Sequence, residues 1–154
     1  MPPNEYLDCF AAELVVVPCG ARKLDVAARA ADMYTGSYHR ACRRAAEALR
    51  PERLLILSAR YGLLGLDDVI EPYDTPHGAA GAVSAGLVRE QAARRGIDRL
   101  DPVVVLGGAR HVALAQAVWP YARTPLSGTR GMGEQVARLA AMARSTGTAR
   151  GRAS

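Results

Sequence analysis

Three short apolar runs that do not alternate constrain this chain most: residues 14–17 (LVVV), 54–57 (LLIL) and 103–106 (VVVL). A strand with one wet face alternates apolar and polar residues. A run that is apolar throughout suits burial on both faces, the condition of strands in a parallel sheet covered by helices. Each run ends on small or turn-forming residues: Pro18 and Gly20, Ser58 and Ala59, Gly107 and Gly108. Between the runs the period changes. Tyr38, Cys42, Ala45 and Leu49 recur at helical spacing with Arg40, Arg43, Arg44 and Glu47 between them, which predicts an amphipathic helix stopped by Pro51. His39 falls on its polar side and is expected to be exposed. Further helices are expected over residues 82–95, ended by Gly96, over 110–119, stopped by Pro120, and from near Gly133 with Val136, Leu139 and Ala143 on one face. Residues 122–126 are read as a fourth, short strand. The alternation predicts a single three-layer α/β domain over residues 1–144, with a mostly parallel sheet of about four strands flanked by helices. Residues 145–154 (STGTARGRAS) read as a basic, disordered tail.

At 154 residues, about half of them apolar, the chain is long enough for one core and too short for two ordinary domains. Its net charge of +5 is compatible with phosphate-bearing ligands but does not demand them. The three cysteines, Cys9, Cys19 and Cys42, have no metal-finger spacing, and their odd number argues against a disulfide framework and for a reducing compartment. The start, MPPNEYLDCF, has neither a basic n-region nor an apolar h-region, and no apolar run approaches the length of a membrane span. A cytoplasmic protein is expected.

In open α/β sheets, ligands bind outside the carboxyl ends of the strands. The segments that follow the apolar runs are the chemically unusual ones. PCGARK (residues 18–23) combines a Gly20 turn with Arg22 and Lys23 and can hold an anion, with Cys19 facing the same ligand. It is not a Walker loop, since the glycine spacing and the Ser or Thr after the lysine are missing. MYTGSYHR (33–40) offers Tyr34 and Tyr38 for stacking on a base or sugar, or for packing beneath the start of the helix, which Thr35 or Ser37 can cap. SARYGLL (58–64) places Ser58 and Tyr61 at a strand mouth, with Gly62 permitting close backbone approach. No nucleophile elbow surrounds Ser58, so it is read as a hydrogen-bonding residue. LDDVIEPYD (66–74) concentrates carboxylates beside Tyr73; Asp67 and Asp74 are the candidates to act on a sugar carbon or activate water, and turn capping is the alternative for each. GGARH (107–111) seats an anion or ribose on Gly107 and Gly108, with His111 one turn into the helix. SGTRGMGE (127–134) offers Arg130 as a phosphate clamp or serves as a connector.

The order PC…K, Y-T-G-x-Y, SARYGLL, D-x-x-I-x-PYD, GG resembles a family of small bacterial and phage proteins of unknown function marked by Ser-Ala-Lys/Arg-Tyr-Gly-Leu-Leu. More distantly it resembles the YaaA peroxide-stress family, through KLD at residues 23–25, YGLL at 61–64 and the PY ending at Tyr73. A fainter likeness is to a domain of archaeosine synthase, which also pairs a PC turn with a later S-x-x-YG. The resemblance spans residues 14–139 and implies a theme of nucleobases, nucleotides or nucleic acid, in which YaaA proteins are associated with DNA binding and related α/β folds include base-excising glycosylases. This chain lacks the extra length of YaaA proteins and any evident helix–hairpin–helix.

Two functions follow as expectations. The first is an enzyme that cleaves or exchanges an N-glycosyl bond of a nucleotide or nucleoside. Lys23, the Gly107–Gly108 turn and Arg130 would hold phosphate, Tyr61 or Tyr73 would stack on or hydrogen-bond the base, and Asp67 or Asp74 would act on the sugar. Such a site needs no metal and no organic cofactor. The second is a non-catalytic nucleic-acid-binding stress-response protein, using Arg40, Arg43 and Arg44 on one helix face. Charge gathered in a cleft at the strand ends favours the first; a convex stripe favours the second.

Overall fold

A computed structural model describes residues 12–153, with side chains through Arg144. In chain order the elements are β1 (Leu14–Pro18), β2 (Ala28–Arg29), α1 (Ala30–Met33), α2 (Ser37–Ala48), β3 (Arg53–Ser58), β4 (Gly62–Gly65), β5 (Val69–Ile70), α3 (Ala85–Arg94), β6 (Val103–Val105), α4 (Ala109–Gln116) and α5 (Met132–Ala153). The main sheet has the order β4-β3-β1-β6, with β1 central and parallel to both β3 and β6. Val16 sits level with Leu55 on one side and Val105 on the other. β2 and β5 form a separate antiparallel pair.

The three apolar runs are β1, β3 and β6, and the reason is the one their composition gives. Successive side chains of a strand point to opposite faces, and here both faces are covered. Val15, Val17 and Ile56 pack with Cys42, Ala45, Leu139 and Met142 of α2 and α5. Leu14, Val16, Leu55 and Leu57 pack on the other side with Val88 and Ala92 of α3, Ala115 of α4, and Trp119. The Trp119 indole is fully buried and satisfies its N–H on the Ile97 carbonyl at 3.0 Å. The architecture is therefore three-layer α/β with a mixed, mostly parallel sheet.

The fourth strand is not the one expected. Residues 122–126 contribute one parallel bridge, Arg123 to Val104. The edge strand is instead β4, within the YGLL motif, which pairs antiparallel with β3 in the register Ser58 to Gly62 and Leu57 to Leu63. Two local features make that hairpin. Gly62 has φ +79°, open to glycine at little expense. The Ser58 Oγ accepts the N–H groups of Arg60 at 3.1 Å and Tyr61 at 2.9 Å, folding the turn onto itself. From α3, Gln91 then clips the turn shut, accepting from the Leu63 N–H and donating to the Tyr61 carbonyl, each at 2.9 Å. A Cβ at Gly62 would overlap the Gln91 amide.

His39 is also a correction. It is buried at 2% exposure inside the α2 layer, because its Nδ1 finds the Pro18 carbonyl at 2.8 Å. α2 begins after Gly36, and neither Thr35 nor Ser37 supplies a side-chain cap. Helix α5 carries the backbone to Ala153, across most of the stretch expected as a tail; the side chains beyond Arg144, Cys9 and the rest of the first eleven residues lie outside the described residues. Among the described residues no helix is long and apolar enough to cross a membrane.

Candidate functional site

The strand ends meet where the fold logic puts a site. The loop after β1 brings Cys19, Gly20 and Lys23; the turn after β3 brings Ala59; the turn after β6 brings Gly108 and opens α4. The segment after β5 runs back across this edge and adds Tyr73, Asp74 and His77. It is held there by the Val83 N–H on the Ala59 carbonyl at 2.8 Å and by Arg110, which donates to the His77 carbonyl at 2.9 Å. Together these residues line a cleft of about 430 Å³ that also includes Arg110 and His111. The size falls in the range of small-ligand sites.

One wall is a buried hydroxyl chain. Ser58, fully buried, spends its lone pairs on the two turn N–H groups and donates its own hydrogen to the Tyr73 hydroxyl at 2.9 Å. The Tyr73 and Tyr34 hydroxyls share a further bond at 2.7 Å. Burial is the main force raising both phenols; Tyr34 is pushed up to about 12, and Tyr73 rises further because Cys19 and Tyr34 lie beside it. Both therefore stay protonated, and Tyr73 presents its ring to the cleft while its hydroxyl is engaged. Lys23 lies over that ring, its Nζ 4.4 Å from the centroid, where a cation is attracted to the π face. Tyr61 stands behind, edge-on to Tyr73 at 5.6 Å, with its hydroxyl on the Glu71 carbonyl.

Cys19, His77 and His111 form a second cluster in the cleft lining. The Cys19 Sγ is 3.5 Å from His111 Nε2, and His77 Nε2 is 2.8 Å from that same nitrogen. Burial lowers His111 to about 3, with His77 as the lesser cause. His77 is lowered by burial and then by the Arg110 charge. Both imidazoles are neutral near pH 7. Gly107, with φ +135°, lets β1 and α4 close on one another: a Cβ there would lie 3.1 Å from the His111 Cβ and 3.3 Å from that of Pro18.

Of the residues picked out from sequence, Cys19, Lys23, Tyr73, Asp74, Gly108 and His111 share this cleft. Ser58, Tyr34, Tyr61, Gly62 and Gly107 are its supports. Two do not converge. Asp67 is 87% exposed at its side chain and pairs with Arg29 at 2.8 Å, because a carboxylate on an exposed turn finds the nearest guanidinium. Arg130 belongs to the turn before α5, where its N–H donates to Glu134 at 2.9 Å, and it is not part of the cleft lining. His77 was missed. Its signal was position alone, three residues beyond Asp74 in a chain with three histidines.

His39 lies behind the β1 turn and supplies a pH test of the fold. Burial lowers its pKa; its bond to Pro18 opposes this, and the Arg43 charge adds to the lowering. Its Nε2 finds no partner among the described residues. Below the ordinary histidine value of about 6.5, the unfolded chain takes up a proton that the folded one refuses, so stability falls as pH drops through that value. The urea midpoint is expected to fall between pH 7 and pH 5, and to fall less in His39→Asn, whose amide keeps a donor for Pro18. Equal slopes in the two proteins would contradict the assignment.

A family model described as a family of unknown function matches the chain over residues 14–141, which takes in the whole sheet and every residue of the cleft. No curated protein and no solved structure matches it.

Proposed function

The chain belongs to the family of unknown function DUF6884, and from that premise we propose that its cleft is the active site of an enzyme that cleaves or exchanges the N-glycosyl bond of a nucleotide or nucleoside. The observation that carries this reading is that Lys23, Asp74 and the start of α4 at Gly108 line one cleft at the carboxyl edge of the sheet. Lys23 and the N–H groups at the start of α4 suit a phosphate. The Tyr73 ring suits the flat face of a base or sugar. Asp74 is the carboxylate of the cleft: it takes the proton of an attacking water as oxygen bonds to the sugar carbon and the base departs with the bond's electrons. Arg130 is not part of the cleft lining, which leaves phosphate binding to Lys23, the helix start and the neighbouring Arg110.

Charge placement favours this reading over nucleic-acid binding along α2. Arg43, central in the Arg40–Arg43–Arg44 face, is spent on Glu47 at 3.1 Å and on the Ala31 carbonyl, which weakens a convex basic stripe.

The test is thermal melting against bases, nucleosides, nucleoside monophosphates and inorganic phosphate. A ligand of the native state stabilises by roughly 2.7 kcal/mol at a hundred times its dissociation constant, a shift of several degrees for a chain of this size. Some nucleoside monophosphate is expected to raise the melting temperature more than its nucleoside, and Lys23→Ala to erase that difference. No shift with any member of the panel would end the reading.

A further inference from the structure

We propose that Cys19, His77 and His111 form a binding site for one divalent late transition metal of the zinc class, with three protein ligands and a fourth position facing the cleft. The three residues come from three places, the end of β1, the segment after β5 and the first turn of α4. Their donor atoms nevertheless all lie within 4.8 Å of one another. Zinc bonds of about 2.3 Å to sulfur and 2.0–2.1 Å to nitrogen set a tetrahedral S···N spacing of about 3.5 Å and an N···N spacing of about 3.3 Å. The observed Cys19–His111 separation of 3.5 Å already equals the first. The His77–His111 separation of 2.8 Å requires the two rings, now perpendicular with centroids 4.1 Å apart, to part by about half an ångström.

The competing arrangement for the same residues is a nucleophilic thiol with a histidine base. That relay needs the thiol on one ring nitrogen and an orienting group on the other. Here Cys19 and His77 both address the same atom, His111 Nε2. One nitrogen cannot both take the thiol proton and be held by a second imidazole at that position. Three donor atoms gathered this closely are instead what a metal requires. Binding is balanced by loss of the Cys19 thiol proton to solvent, with each imidazole keeping its hydrogen on Nδ1. Three ligands and an open fourth position are the pattern of catalytic rather than structural zinc. The site lies in the cleft of the proposed enzyme and deepens that reading, since a metal-bound water there would be acidified toward neutral pH.

The experiment uses the full chain, stripped with a chelator under a non-thiol reductant and titrated with Co²⁺. One equivalent is expected to bind, with a thiolate-to-cobalt charge-transfer band and the visible bands of four-coordinate cobalt, all displaced by Zn²⁺. Cys19→Ser is expected to lose the charge-transfer band with its far-ultraviolet circular dichroism unchanged, while Cys9→Ser and Cys42→Ser keep it. His77→Gln, on a loop, and His111→Gln are each expected to weaken Co²⁺ binding at least about 10-fold, the smaller effect seen even for groups that merely orient a ligand. Absence of the band, its survival in Cys19→Ser, or unchanged affinity in both histidine variants would overturn the site. A nucleotide melting shift without the cobalt band sinks the metal alone; the band without any nucleotide effect sinks the glycosyl-transfer reading alone.

Discussion

Asp74→Asn is expected to lower the rate of base release from the preferred nucleoside monophosphate by about 10²–10⁴-fold, the range spanned by a positioned general base, while the melting temperature stays within a degree or two of the parent. The amide keeps the shape of the carboxylate and removes both its charge and its capacity to accept a proton. Asp74 lines the cleft at the foot of the Tyr73 wall, and no hydrogen bond of its side chain holds the fold together among those observed there. Ligand binding should therefore survive, with the loss falling on kcat rather than KM. The matched control is Asp67→Asn. That carboxylate sits in an exposed pair with Arg29, a kind of contact worth little, and its removal should leave turnover unchanged. A variant at position 74 that turns over at the parental rate, or an Asp67→Asn variant that does not, would take the carboxylate chemistry away from the cleft.

The contrast between these two acids marks where sequence ceases to be informative. Both stand in one run of nine residues and look equally apt. What separates them is β5, which pairs with β2 and sends Asp67 to one side and the Tyr73–Asp74 step back across the sheet edge. That pairing is two residues long and leaves no periodic trace. The same limit explains β4. A four-residue strand bounded by Gly62 and Gly65 is too short to display a period, and its existence depends on Ser58 and Gln91, the latter about thirty residues downstream. By contrast β1, β3 and β6 were legible because burial on both faces writes itself directly into composition. His39 misled for a related reason. A polar residue on the polar side of a helical wheel reads as exposed until a neighbouring carbonyl, here Pro18, proves to be within reach of its ring. His77 and His111 are thirty-four positions apart, and only the fold brings their nitrogens together.

Ser58→Ala is expected to destabilise the protein by about 2–4 kcal/mol, a fall of roughly 5–15 °C in melting temperature for a chain of this size. The estimate comes from the groups left behind. Ser58 is fully buried, and its single oxygen serves three partners: the Arg60 and Tyr61 N–H groups and the Tyr73 hydroxyl. Each buried polar group stranded without a partner costs about 1–3 kcal/mol, and exposure at Arg60 relieves part of the sum. Tyr73→Phe leaves Ser58 with both N–H groups and strands only the Ser58 and Tyr34 hydroxyls, which can rotate toward other partners as a backbone N–H cannot, so its loss should be smaller, about 1–2 kcal/mol. The ordering of the two variants is the sharper test, because it separates a turn built on Ser58 from a wall built on tyrosine. The consequence reaches the cleft, since the turn that Ser58 folds carries Tyr61 against Tyr73, next to Asp74. In Ser58→Ala, turnover should fall together with stability and keep its pH profile, as befits a residue that positions the wall without touching the reacting atoms. Denaturant midpoints showing Ser58→Ala within about 0.5 kcal/mol of the parent, the scatter of ordinary surface changes, would mean that water replaces the hydroxyl and that the wall stands without it.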